Sequence, residues 1–510
     1  MKPESISAWF EKIVALQGAK TAITFLRNGQ IETELTYSEL NRDKNQFANT
    51  LIELNVKKGD RVILFIEKSL IAVTAHFALQ KLGAIAVPLN PGFKRNELEY
   101  LLNDADAELV IADPEKKELI HAIDHDIQIL EIASLKPYQE ISFFRNAPKS
   151  SPATEINADD PGLIIYTSGT TGNPKGAVLT QSNLVHDARN IIKIWEITDS
   201  DVLCHALPLF HVHGLCFALH TALLTGAQVI MPDQFKPDVI LDVLSNGVQE
   251  SHCTMFMAVP AMYTKLTDHL GDKELRLKSM RLMTSGSAPL LTKDFDFIKN
   301  AFGHEPVERE GMSETGMNFS NPVRGKRKPG SIGIPLPNVQ VRIVDQNIFK
   351  DVSPGEVGEI WLKSPSITPG YWRKPAETAA TFEDGWFRTG DLGKIDEDGY
   401  YYLTDRIKHI IITGGENVSA KEVETVINRI HGVVESSVVG LTDEKWGEKV
   451  AAAVVTFSDT NLDAVAVKAF CKDNLHNWKC PKEIQFVEEI PKNTMGKVLK
   501  EEVKRLFGNV

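Results

Sequence analysis

The chain has 510 residues, with 56 basic and 68 acidic side chains, a formal net charge of −12, and a composition 43% hydrophobic and 24% charged. At roughly 150 residues per domain this length predicts two to four folding units with sizeable cores. The acidic balance argues against nucleic acid or an anionic membrane as partner, because no basic excess is present to neutralise phosphates, while a local basic patch for a small anion stays open.

Glu4, Glu11 and Lys12 stand where a signal peptide needs an apolar run, and the last residues, RLFGNV, carry no lipidation or peroxisomal signal. Apolar clusters then alternate with helical-period segments. Residues 61–66 (RVILFI) read as a buried strand, 69–82 as a helix, 84–88 as a strand, 96–104 as a helix and 109–112 as a strand. The same rhythm recurs around 202–207, 227–231, 253–259 and 281–285, which predicts parallel sheets with helices on both faces. The least polar stretch, 214–231, is interrupted by His220, Thr221, Thr225 and Gln228, so it reads as a buried helix plus strand rather than a membrane span. After about Gly330, short alternating segments such as 340–344 and 358–363 predict antiparallel strands. Beyond residues 403–408 (LTDRIK) a small α/β domain of mixed charge runs to the end. The expected organisation is an N-terminal domain, 1–405, and a C-terminal domain, 406–510. Cys204, Cys216, Cys253, Cys471 and Cys480 form no disulfide framework, which fits a reducing compartment. The reading is a soluble cytoplasmic α/β protein without an integral membrane segment, a monomer or homodimer.

The richest segment for chemistry is YTSGTTGNPKG, residues 166–176. A short apolar strand runs into Thr167, Ser168, Gly169, Thr170, Thr171 and Gly172, and then into Asn-Pro-Lys175-Gly. Glycines let backbone N–H groups approach a polyphosphate, hydroxyls donate to it, and Lys175 supplies charge. The spacing is not that of a Walker A loop. Considered alone, the string is equally a Ser/Thr-rich surface turn between a strand and a helix.

This string resembles the phosphate-binding signature of the acyl-adenylate-forming enzymes, which include acyl-CoA synthetases, luciferases and peptide-synthetase adenylation domains. Further segments resemble that family in its order. LPLFHVHGL (207–215) is similar to the acyl-pocket motif, which implies His211 near the substrate carboxylate or thioester; His211, His213 and Cys216 lack a second ligand cluster with zinc spacing. TSGSAPL (284–290) and EREGMSET (308–315) look like the two segments that enclose adenine, through Gly286, Ser287, Ala288, Glu308, Gly311, Met312 and Ser313. The resemblance implies that Glu314 holds Mg²⁺, a cation suited to one or two carboxylates plus phosphate and water oxygens. The family usually places an aromatic residue before this Gly-Met; here Glu310 stands there, and a carboxylate cannot stack on a purine. GWFRTGDLG (385–393) resembles the ribose-binding segment, with Asp391 as acceptor for both hydroxyls, Arg406 as a second ribose contact and Lys408 as the hinge. GGENVSAKEVE (414–424), with Gly414 and Gly415, looks like the loop that meets the thiol's pantetheine arm, and PKNTMGKVLK (491–500) like the segment bearing the catalytic lysine, Lys497.

The resemblance implies an AMP-forming acid–thiol ligase using ATP, Mg²⁺ and coenzyme A. Attack of a carboxylate on the α-phosphate makes an acyl-adenylate, which a thiol then intercepts. Three strings look closest to malonyl- and methylmalonyl-CoA synthetases, in which an arginine just before SGSAPL meets the distal carboxylate; Arg281 holds that place. An arginine there is also a strand-end residue in monocarboxylate relatives, so a medium- or long-chain fatty acid stays open. A luciferase-like or carrier-protein adenylating enzyme and a non-catalytic adenylate-binding protein are the alternatives of another class.

Overall fold

The structure, a computed structural model, describes residues 5–167, 173–271, 273–414, 416–457, 460–493 and 496–508. The chain divides into two compact units: 1–340 with 363–387, and 341–362 with 388–510.

In the first unit, apolar runs of four to seven residues become strands buried on both faces, as parallel sheets require. One sheet has the order Gln128–Glu131, Leu109–Ala112, Arg61–Phe65, Ile85–Pro88, Pro161–Thr167, Lys175–Thr180. Its neighbours are parallel except the last pair, which is antiparallel. The residues after the glycine-rich string therefore return as a strand before any helix starts, which corrects the strand-to-helix turn weighed above. The helix Gln181–Ile194 begins only after Thr180, whose side chain accepts from Asn183 N in a reciprocal cap.

A second sheet runs Ile334–Pro335, Gly316–Ser320, Val307–Met312, Leu282–Ser285, Met255–Ala258, Val202–Cys204, Gln228–Pro232, Thr21–Arg27, Gln30–Thr36. Its centre is parallel and its edges are antiparallel hairpins. The helix Leu70–Leu82 is buried at every position except Lys81. Ser69 caps its start, and Gly83 ends it in the left-handed conformation at φ 67°. The stretch read as helix plus strand is a π-helix, His213–His220, followed by a short helical turn and the strand Gln228–Pro232. Among the described residues no helix is long and apolar enough to cross a membrane.

In the second unit, residues 391–395 of the strand Trp386–Ile395 pair antiparallel with Tyr401–Arg406. A further sheet has the order Glu416–Ser419, Ile410–Thr413, Gly447–Thr456, Val433–Asp443, with Glu483–Phe486 beside Gly447–Thr456. Strand alternation builds two cores here. Val438, Val450, Ala452 and Val454 pack in one cluster with the helices Ala420–Ile427 and Ala464–Asn474, while Val439, Leu441, Ala451 and Ala453 pack in another with Val503 of the helix Lys500–Leu506.

Candidate active site

Thr167 closes the strand Pro161–Thr167 and Lys175 opens its antiparallel partner, so the two residues face each other in register. Ser168, Gly169, Thr170, Thr171 and Gly172 lie outside the described residues, as does Gly415. The Thr167 hydroxyl donates to Glu314 Oε1 at 3.2 Å, and the Tyr371 hydroxyl donates to the same oxygen at 3.1 Å. Lys175 Nζ lies 5.4 Å from the centre of the Tyr371 ring, within cation–π range. The Glu314 backbone is fixed too, its carbonyl accepting from Thr368 N at 2.7 Å. A buried carboxylate beside a hydroxyl is an all-oxygen set of the kind Mg²⁺ takes while keeping its phosphate and water ligands, so the residues fit that ion.

The parallel strands Leu282–Ser285 and Val307–Met312 end close by, delivering Gly286, Ser287 and Ala288 from one and Gly311, Met312 and Ser313 from the other. Gly286 has no alternative: a Cβ there would lie 2.6 Å from the Arg309 guanidinium. Ser287, at φ 70°, sits between His213 Nδ1 at 3.2 Å and Arg309 Nη2 at 3.4 Å. Arg309 is 3% exposed, packs over the Phe217 ring at 5.3 Å, and leaves Nε and Nη1 without a hydrogen-bond partner among the described residues. Burial pulls its guanidinium down to about 10, still cationic at neutral pH. The sequence reading passed over Arg309, although it stands inside EREGMSET, because nothing in the string marks which strand residues face inward.

His211 lies among apolar groups that lower its pKa to about 4, so its imidazole is neutral at physiological pH; its Nε2 is also unpartnered among the described residues. His213 is held neutral by burial first, and then by Arg309, His205 and His211. A cavity lined by Asp187, Val212, Cys216, Phe217, Ser313 and Gly316 has room for about one water molecule. Burial raises the Asp187 carboxyl to about 7.

Two expected residues go elsewhere. Arg281 lies at the N-terminal end of its strand, the edge opposite Gly286, and its guanidinium is committed to Asp201 at 2.7 and 2.6 Å and to the carbonyls of Trp195 and Glu196. In this arrangement it ties the start of its strand to Asp201 and to the end of the helix Gln181–Ile194. Glu308 turns its carboxylate to Gly330 N at 2.8 Å, and burial raises its pKa to about 8. Glu310 accepts from Asn318 Nδ2 at 3.1 Å.

In the second unit, antiparallel pairing sets Asp391 opposite Arg406, whose Nε is 2.7 Å from Oδ1. Burial raises the Asp391 pKa, and the charges of Arg406, Lys497 and Lys408 oppose that rise. His409 is pushed down to about 3, by burial and then by Lys500, Lys408, Arg406 and Lys497. Positive charge is thus concentrated around Asp391. Lys497 sits in a tight loop: Asn493 N donates to its carbonyl and Asn493 Oδ1 accepts from its N–H, both at 2.9 Å. Gly414 adopts φ 60° and donates its N–H to the Trp446 carbonyl at 2.8 Å.

Comparison with known proteins adds identity to this geometry. Residues 10–372 match the AMP-binding enzyme family and residues 422–497 the AMP-binding enzyme C-terminal domain. A feruloyl-CoA synthase from Amycolatopsis sp is 33% identical over the full length of both chains. The mitochondrial malonate–CoA ligase of Bos taurus is 35% identical, covering 88% of this chain and 81% of that protein. The crystal structure of ATP-bound MatB from Rhodopseudomonas palustris superposes with a TM-score of 0.91 at 36% identity, covering 99% of each chain. The chain belongs to the AMP-binding enzyme family and is an AMP-forming acid–CoA ligase that uses ATP and coenzyme A.

Proposed function

We propose that the acid is a short dicarboxylate of the malonate class, and that Arg309, rather than Arg281, reads its second carboxylate. The observation that carries this is a buried cation with two unpartnered donors beside Ser287 and His213. A buried guanidinium with two nitrogens lacking acceptors is costly, and a carboxylate that accepts from one of them offsets that cost. The kinship with a malonate–CoA ligase supports the reading, while the feruloyl-CoA synthase kinship keeps an aromatic monocarboxylate as the competitor.

In the reaction proposed, Thr167, Lys175 and the segment between them bind the β- and γ-phosphates, and Glu314 would hold Mg²⁺, which would supply charge neutralisation for the phosphates. His211, neutral and unpartnered at Nε2, orients the reacting carboxylate. Asp391 and Arg406 hold the ribose, and the Lys497 ammonium stabilises charge gathering on the α-phosphate and bridging oxygen. Lys408 is the hinge that exchanges Lys497 for the loop at Gly414 before coenzyme A attacks the acyl-adenylate.

An ATP–pyrophosphate exchange panel of malonate, methylmalonate, butyrate and ferulate tests the acid. Malonate is expected to exceed butyrate in kcat/KM by about 100-fold or more, and Arg309→Met to erase that gap. A preference for butyrate or ferulate that survives Arg309→Met rejects the dicarboxylate.

A further inference from the structure

The helix Arg95–Ala105 holds none of the residues with an assigned role, yet the carboxylate in its last turn touches two other segments of the first unit and Tyr100 of its own helix. The Asp104 side chain is 6% exposed. The Tyr166 hydroxyl donates to its Oδ2 at 2.9 Å, and the Lys374 ammonium pairs with its Oδ1 at 2.7 Å. The Tyr100 hydroxyl lies 3.2 Å from Oδ1 and 3.0 Å from the Pro174 carbonyl, so its single proton is shared between them.

Each partner leads to the site. Tyr166 immediately precedes Thr167, and Pro174 immediately precedes Lys175, so one end of the glycine-rich segment is tied to the Asp104 carboxylate directly and the other to Tyr100 on the same helix. Lys374 ends a segment that runs beside Lys175–Thr180: Val178 N donates to Gly370 O at 3.1 Å and Trp372 N to Gly176 O at 2.7 Å. That segment carries Tyr371, which donates to Glu314 and lies against Lys175. Arg373 pairs with Asp106, two residues beyond Asp104, at 3.1 Å. Burial and then Asp104 raise the Tyr166 pKa, so the phenol keeps its proton and stays a donor. A buried carboxylate is expensive to hold unless its oxygens are filled by donors, and here those donors come from its own helix, from the end of the strand Pro161–Thr167 and from the segment that ends at Lys374.

We propose that Asp104 is a positioning residue for the polyphosphate site: it fixes the spacing of Thr167 and Lys175 and seats Tyr371 between Lys175 and Glu314. The inference rests on the reading that residues 167–175 bind the phosphates of ATP. AMP lacks the β- and γ-phosphates, so loss of this anchor acts on ATP binding and leaves AMP binding alone, whereas loss of a merely structural carboxylate weakens both or neither.

The test is calorimetric titration of the full chain with Mg·ATP and, separately, with AMP, for Asp104→Asn, Asp104→Leu and Lys175→Ala. Asp104→Asn is nearly isosteric and keeps the test open should the Leu variant fail to fold. The expected result is a Kd for Mg·ATP raised about 10-fold by Asp104→Asn, the worth of one charge-assisted bond, with the Kd for AMP within about twofold of the parent. If Lys175→Ala weakens Mg·ATP alone while Asp104→Asn shifts both nucleotides equally or neither, the positioning role is overturned and the phosphate reading stands. If Lys175→Ala leaves Mg·ATP binding unchanged, the phosphate reading itself fails and takes this inference with it.

Discussion

Arg281 faces Asp201 with two nitrogens at 2.7 and 2.6 Å, whereas Arg309 keeps two nitrogens without an acceptor among the described residues. Composition and motif spacing do not separate these cases, because one arginine precedes and the other lies within neighbouring strands of one sheet; the surroundings of each side chain do. Arg281→Met leaves the 3%-exposed Asp201 carboxylate without its cation. Its remaining donors, Thr198 N and the Thr254 hydroxyl, soften the loss, so stability is expected to fall by about 2–4 kcal/mol in denaturant melts with the acid preference unchanged. A changed acid preference would return Arg281 to the pocket. Glu308 supplies a pH prediction. Its folded-state pKa is raised to about 8 from an ordinary 4.5, chiefly by burial. Below pH 4.5 both folded and unfolded chains hold the proton. Between 4.5 and 8 the unfolded chain releases it and the folded chain keeps it, so stability declines as pH rises through that window. Glu308→Gln is expected to flatten the decline in melting temperature measured from pH 5 to 8, and an unaltered slope would show that Glu308 does not cause it.

Strands read from apolar runs emerged within three residues of their expected ends, one residue short at Arg61–Phe65 and unshifted at Gly358–Lys363, because burial on a sheet face is written in consecutive or alternating side chains. The π-helix was legible only as a buried helical stretch, since a one-residue change in hydrogen-bond spacing leaves no mark on an apolar run. The return strand Lys175–Thr180 was missed for a related reason: GAVLT fits a strand in either direction, and its pairing partner depends on the turn before it. The loop bearing Lys497 is an element whose sequence does speak, through Asn493. Its side chain and backbone clasp Lys497 from both sides at 2.9 Å, which limits where the ammonium can reach. Asn493→Ala removes the acceptor of the Lys497 N–H. Acid-dependent adenylate formation is expected to slow by about 5- to 10-fold, with thioester formation from supplied acyl-adenylate within about twofold of the parent. Equal slowing of both steps would mean that the clasp serves stability rather than placement.

At the scale of the molecule, chemistry assigned to one reaction is divided between two units. Thr167, Lys175 and Glu314 belong to the first, and Asp391, Arg406 and Lys497 to the second. The family was legible because phosphate, ribose and lysine segments are short contiguous strings whose chemistry survives without knowledge of the packing. The acid was not legible, because the pocket proposed for it draws single residues from a π-helix, a strand and a turn far apart in sequence. Division between units carries a mechanistic consequence. Adenylate formation gathers negative charge at the α-phosphate, the charge that the Lys497 ammonium is proposed to meet; thiol attack on the acyl-adenylate expels AMP, a good leaving group, and makes no such demand. Asp391 feels Lys497 together with Arg406 and Lys408, so removing one cation leaves the proposed ribose site two others. Lys497→Ala is therefore expected to cut acid-dependent pyrophosphate release by about 100- to 1,000-fold, the scale of one preorganised charge at a transition state. Conversion of synthetic acyl-adenylate and coenzyme A to thioester is expected to stay within about twofold to threefold of the parent, since no charge stabilisation is lost there. Single-turnover measurement of each half-reaction separates the two, and a loss of similar size in both would place Lys497 in the common framework of the site rather than in its first step.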